Sequence, residues 1–205
     1  MKNYLSIALV LVLFLSSCGG KEKLPAEQYY AWIKNPDNGI LQKKEIKPYA
    51  FSLQYKPAAF TYLLENQKEK TSAEKLQQHL KDNSDMQYFN LRIASADGKA
   101  NVFDVDNRMD YNQKLSYFVF DLKQDIYMVD GADTLPCLLY HYERNYDLTP
   151  FIDISLAFKQ GKAVKAEEEE TKEKNVIINA GTLGVGVVKF QLTKEDLKRI
   201  PELTL

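Results

Sequence analysis

Phe151-Ile152-Asp153-Ile154-Ser155-Leu156-Ala157-Phe158 decides the fold class. Ile152, Ile154, Leu156 and Phe158 share one side of an extended chain, and Asp153 and Ser155 face the other way, which predicts a half-buried strand. Pro150 stands just before it, where a missing N–H suits a strand start. Tyr49–Lys56 repeats the pattern, with Phe51, Leu53 and Tyr55 on one face and Ser52, Gln54 and Lys56 on the other. Residues 40–46 read as its neighbour.

Working outward, further strands are predicted at 87–95, 100–105, 115–122, 125–129, 136–143, 175–179 and 185–192. Asp97-Gly98 marks a hairpin between the first two, and Asp130-Gly131 marks another turn. Apart from Ser116 and Asp121, residues 115–122 are apolar on both faces, which suggests a central strand. Helical patterns fall earlier. Ala26, Tyr29, Tyr30 and Ile33 share a face over 26–34, and Asn35-Pro36-Asp37-Asn38-Gly39 stops that helix. Pro57 suits the first turn of a second helix with Phe60, Leu63 and Leu64 as its apolar face. Thr71 and Glu74 have capping-box spacing for a third. Thr193 caps a last helical turn. The expectation is an α+β domain over 26–205, with a mainly antiparallel β-sheet and short helices concentrated in the N-terminal third of the mature chain. The acidic stretch 160–174, with Glu167 to Glu170, reads as an exposed mobile loop.

The N-terminal residues carry an address. Lys2 supplies a positive charge, and Leu5 to Leu15 is an apolar run too short to span a bilayer. Leu15-Ser16-Ser17-Cys18 resembles the lipobox of bacterial lipoproteins. The resemblance implies that 1–17 is a signal peptide and that Cys18 is acylated and becomes the new N-terminus. Several acyl chains make a stable anchor where one does not. Gly19 stands where Asp would favour the inner membrane, so the resemblance points to the outer membrane. Whether the domain faces the periplasm or the cell surface is left open. Residues 18–25 read as a short tether that keeps the domain near the bilayer.

The 205 residues carry 27 Lys and Arg against 28 Asp and Glu, for a net charge of −1. That balance argues against nucleic acid as a partner, which needs a basic surface. Two histidines are too few for a convincing metal site. His141 and Glu143 share a strand face, but a polar strand surface is the plainer reading. The loop from Asp104 to Asp110 fails as a calcium site, since Met109 stands where an EF-hand needs Gly. Gly181 to Gly186 has neither dinucleotide nor Walker spacing and reads as a turn entering a strand. No cofactor is implied. Cys137, in an apolar run, reads as a buried structural thiol.

The remaining clue is aromatic. With 13 Tyr, tyrosine dominates the aromatic residues. Tyr29, Tyr30 and Trp32 lie near the anchor, and Tyr140, Tyr142 and Tyr146 cluster around His141. Tyrosine suits interfaces because its ring can be buried while its hydroxyl stays wet. The sequence therefore points to a non-enzymatic protein-interaction or structural module of the cell envelope, with a membrane-proximal protein partner. The alternative is a glycan- or small-ligand-binding lipoprotein using an aromatic-rich face.

Overall fold

A computed structural model describes residues 21–67, 71–105, 108–145, 148–161 and 173–205. The elements in chain order are β1 (Lys23–Pro25), α1 (Ala26–Lys34), β2 (Leu41–Ile46), β3 (Tyr49–Lys56), α2 (Ala58–Glu65), α3 (Ala73–Asp82) and β4 (Met86–Ser95). There follow α4 (Tyr111–Ser116), β5 (Ile126–Asp130), β6 (Asp133–Pro136), β7 (Leu139–Glu143), β8 (Phe151–Lys159), β9 (Lys174–Ala180), β10 (Gly186–Leu192), α5 (Lys194–Lys198) and β11 (Glu202–Thr204). The fold is α+β with mainly antiparallel sheets, as expected.

Five strands form one sheet in the order β2-β3-β4-β8-β7, and four form a second in the order β10-β9-β5-β6. The alternation read in the sequence supplies their common core. Phe51 and Leu53 of β3, Leu91 and Ile93 of β4, and Ile152 and Ile154 of β8 all belong to one buried cluster. Met128, Val176, Ile178, Val188 and Phe190 of the second sheet join it. Each such side chain contributes roughly 1.5–3 kcal/mol by leaving water. The edge strands β2 and β10 are tied by one side chain. Gln42 Nε2 donates to the Gln191 carbonyl at 2.6 Å, and Gln191 N–H donates to Gln42 Oε1 at 3.3 Å.

Buried charge also links the two sheets. Asp130 of β5 and Lys174 of β9 are each 3% exposed and lie 3.4 Å apart. Asp130 Oδ2 also accepts from Gln87 Nε2 of β4 at 2.9 Å and from Gly161 N–H at 3.2 Å. One carboxylate oxygen thus joins both sheets and both flanks of the acidic stretch. Residues 162–172 of that stretch lie outside the described residues, and Lys174 is already the first residue of β9.

Several expectations need correction. Residues 100–105 are turn, not a returning strand. Both edges of β4 are already taken, by β3 and β8, so no ladder is open to them. Asp97 instead accepts from the Ser95 hydroxyl at 2.6 Å and from the N–H groups of Lys99 at 2.8 Å and Ala100 at 3.0 Å. Those bonds, the Ser95 hydroxyl first, hold the carboxyl down at about 2. Val102 and Phe103 then turn into the core.

Residues 115–122 are helical rather than strand. Asp110 and Gln113 form a reciprocal capping box that starts α4. A π-helical turn, Tyr117–Asp121, continues it. Tyr117, Phe118 and Leu122 face the core while Phe120 stays 69% exposed. A run that looked apolar on both faces therefore splits its faces at helical spacing.

The strand expected at 136–143 is two strands in different sheets. β6 pairs with β5, and β7 pairs with β8, so the chain changes sheets at Cys137 and Leu138. Pro136 has no N–H to continue the ladder. The cap of α3 is Ser72, whose hydroxyl accepts from Lys75 N–H at 3.2 Å, not Thr71. The expected tether also ends sooner. Lys23–Pro25 pairs in parallel with Glu202–Thr204.

Replacing Asp130 by Ala removes the buried acceptor shared by Gln87 Nε2, Gly161 N–H and Lys174 Nζ. The expected loss is about 3–5 kcal/mol in urea unfolding. A loss under about 1 kcal/mol would show that the pair does not hold the sheets.

Candidate functional site

The register that builds the core also builds a polar outer face on the five-stranded sheet. Ser52, Arg92, Asp153 and Glu143 lie opposite one another across β3, β4, β8 and β7. The next row is Gln54, Asn90, Ser155 and His141, and the next is Lys56, Tyr88, Ala157 and Leu139. These positions alternate with core residues, so their side chains stand on the side away from the second sheet.

Arg92 grips Asp153 with both arms. Nε reaches Oδ1 at 2.8 Å and Nη2 reaches Oδ2 at 2.7 Å. Asn90 Nδ2 adds a third donor to Oδ1 at 3.2 Å. The guanidinium lies 3.6 Å from the centre of the Phe151 ring. The hydrogen bonds to Asp153 raise the Arg92 pKa above its ordinary value. Such a bidentate, stacked pair fixes geometry as well as charge.

α1 and α2 approach the same face. Gln54 donates to the Ile33 carbonyl at 2.9 Å and accepts from Lys34 Nζ at 2.9 Å. Lys34 Nζ also sits 6.0 Å and 5.5 Å from the ring centres of Tyr30 and Phe60. Burial lowers the Lys34 pKa, and the positive charges of Lys56 and Arg92 lower it further. Burial lowers that of Lys56 too, against the pull of Glu143 and Asp153. The face therefore carries Lys34, Lys56 and Arg92, and Lys43 of β2 stands in the same row as Ser52 and Arg92. The Asp153 carboxylate is already committed to Arg92.

A hydroxyl, an imidazole and a carboxylate meet where α2 packs on α3. His79 Nε2 lies 2.9 Å from Thr61 Oγ1, and Nδ1 lies 3.6 Å from Glu65 Oε2. The Thr61 hydroxyl donates to the Ala58 carbonyl at 2.9 Å. Its proton is thus spent on the backbone, and the imidazole donates to it rather than accepting from it. That arrangement ties two helices and does not activate a nucleophile. The sequence reading passed over it because its partners lie 18 residues apart.

The residues singled out in the sequence are divided by the fold. Tyr29 is 1% exposed and belongs to the core, so it offers no free surface. Tyr30 is exposed, with its ring 5.4 Å from Phe60. Trp32, Tyr140 and Tyr142 are half-buried against the core. The Tyr140 hydroxyl donates to the Phe118 carbonyl, which turns it inward. Tyr146 lies outside the described residues. His141 and Glu143 are exposed on β7, and Glu143 accepts from Ser155 Oγ at 3.3 Å. Among the described residues no group of three His, Cys, Asp or Glu could hold a metal ion.

Cys137 is buried, and its thiol donates to the Leu139 carbonyl at 3.0 Å. Burial pushes the thiol up to about 11. At pH 8 the thiolate fraction is therefore about a hundredfold below that of an ordinary cysteine. Alkylation by iodoacetamide at pH 8 should be slowed at least that much in the native chain and recover in urea. Equal rates in the two states would contradict the buried thiol.

No protein-family model matches the chain. No curated protein matches it either. Among solved structures it is similar to one from Burkholderia pseudomallei K96243 described as a novel protein of unknown function. The TM-score is 0.39 and the identity 10%, over 85% of this chain and 88% of that one. A likeness of this size carries neither a fold assignment nor a function across to this chain.

Proposed function

We propose that this chain is a bacterial lipoprotein, held in the outer membrane by acyl chains on Cys18, whose domain docks without catalysis onto a membrane-proximal protein. The observation that carries the reading is the closeness of the lipobox-like Cys18 to the first hydrogen-bonded strand at Lys23. A stretch of that length reaches at most roughly 18 Å at ~3.3–3.6 Å per residue. A domain on so short a lead meets partners beside the bilayer rather than ranging through the envelope.

The outer face of the five-stranded sheet is the surface best suited to docking. It is broad, carries both signs of charge, and holds Arg92 in a fixed geometry. Complementary charge of this kind gives register and selects partners more than it adds raw affinity. The alternative glycan reading has less support, because Tyr29 and Tyr140 turn inward instead of forming an exposed plane.

Two outcomes are expected. Cys18→Ala should move the folded protein from the membrane fraction to the soluble fraction. Retention in the membrane would refute the anchor. A photocrosslinker at His141 in intact cells should capture one membrane-associated protein in stoichiometric yield. Arg92→Glu should cut that yield at least tenfold while leaving the thermal melt cooperative. No capture, or capture indifferent to Arg92→Glu, would overturn docking through this face.

A further inference from the structure

The two larger sheets end at β2, β7, β10 and β6. An edge strand offers unpaired N–H and C=O groups to any other chain, and lysine, proline or a covering side chain is the usual guard against that. Three of these edges are guarded. β2 carries Lys43 and Lys44 in its middle. The Gln191 N–H and carbonyl of β10 are taken by the Gln42 side chain. β6 ends in Pro136. β7, Leu139-Tyr140-His141-Tyr142-Glu143, holds neither Lys nor Pro, and among the described residues β8 is its one strand partner.

The side chains of β7 suit a copy of β7. Leu139, His141 and Glu143 are exposed on the outer face, and Tyr140 and Tyr142 are half-buried on the other. Among the described residues His141 makes no hydrogen bond or ion pair. Glu143 accepts from Ser155 Oγ through Oε1, and a carboxylate has lone pairs for a further donor. Lay a second copy antiparallel along the edge, with the two-fold axis at Tyr142. His141 of each copy then stands opposite Glu143 of the other, and Tyr140 of each stands opposite Arg144. Shift the axis to His141, and Glu143 faces Leu139 with both charges unmatched. The charge pattern therefore selects one register as well as one occupant.

We propose that two copies of this chain pair antiparallel along β7 about a two-fold axis at Tyr142, with His141 of each against Glu143 of the other. Such a contact uses the same patch on both copies, so it closes as a dimer and builds no fibre. The two five-stranded sheets become one, with their outer faces on the same side. The inference rests on the strand edge and is independent of what docks on the outer face. A crosslinked product of two copies is told from a product with a docking protein by its mass.

The full chain carrying Tyr142→Cys, treated with a short bismaleimide in the cells that make it, is the test. Opposite residues in an antiparallel pair have Cβ atoms about 5 Å apart, so position 142 should link to its own copy and give a product of twice the chain mass. Its yield should exceed at least tenfold that of the unsubstituted chain and that of Ser52→Cys, which lies on β3 away from the edge. Glu143→Lys should cut the yield at least fivefold. Adding His141→Glu should restore it, because the charges match again in reverse, and a mere loss of stability would not be rescued. No product above the two controls, a yield indifferent to Glu143→Lys, no recovery in the double swap, or a product with another protein in place of the second copy would each overturn the pairing. Should Tyr142→Cys fail to fold, a photocrosslinker at the exposed Leu139 takes its place. Capture at Asn145 of the second copy is then expected, and capture elsewhere or none would overturn the proposal.

Discussion

Everything in this molecule depends on one face of the β3-β4-β8 ladder being buried against the second sheet. The period of two allows a single register, because a slip by one residue would send Phe51, Leu91 and Ile154 into water. That constraint fixes the other face at no further cost. Arg92 must stand beside Asp153, and Lys56 beside Tyr88, because Ile93 and Phe89 must face the core. The surface proposed for docking is thus the complement of the hydrophobic one, set by the same alternation.

Charge is used in two different ways on the two sides of the large sheet. Between the sheets, Asp130 and Lys174 neutralise one another, and Gln87 and Gly161 N–H donate to the same Oδ2 of the carboxylate. That arrangement serves the fold. On the outer face, Asp153 is satisfied by Arg92 and Asn90, and Lys56 stays half-buried under the pull of Glu143 and Asp153. A protein interior tolerates a buried ion only when it is paired.

Much of the fold was legible in the chain because local and global signals agreed. β3 and β8 alternate cleanly, α1 ends at Asn35-Pro36, and Thr193 caps α5 as its spacing suggests. Failures came where a non-local fact decided the outcome. Nothing in residues 100–105 shows that both sides of β4 are occupied. Residues 115–122 are apolar enough for either period, and the deciding signal was upstream, in the Asp110 and Gln113 pair. Pro136 was a visible warning that 136–143 is not one strand. The site was less legible. Ser52, Gln54 and Lys56 were read as facing away from the core, yet Arg92, Asp153 and Lys34 join them only through strand register and the packing of α1. Tyrosine count misled, because Tyr29 serves the core and Tyr140 spends its hydroxyl on a backbone carbonyl.

The proposed anchor on Cys18 would give this face its place, since a fixed face recognises little unless it is held where its partner lies. β1 pairs with β11, which fastens the entry point of the chain to its last strand and sets the domain directly behind the lipobox-like segment. The intact mass of the mature protein taken from the bacterial envelope tests this most directly. The account predicts a chain beginning at Cys18 with acyl chains on its sulfur and its amine. A chain beginning at another residue, or bearing a free Cys18 thiol, would contradict it.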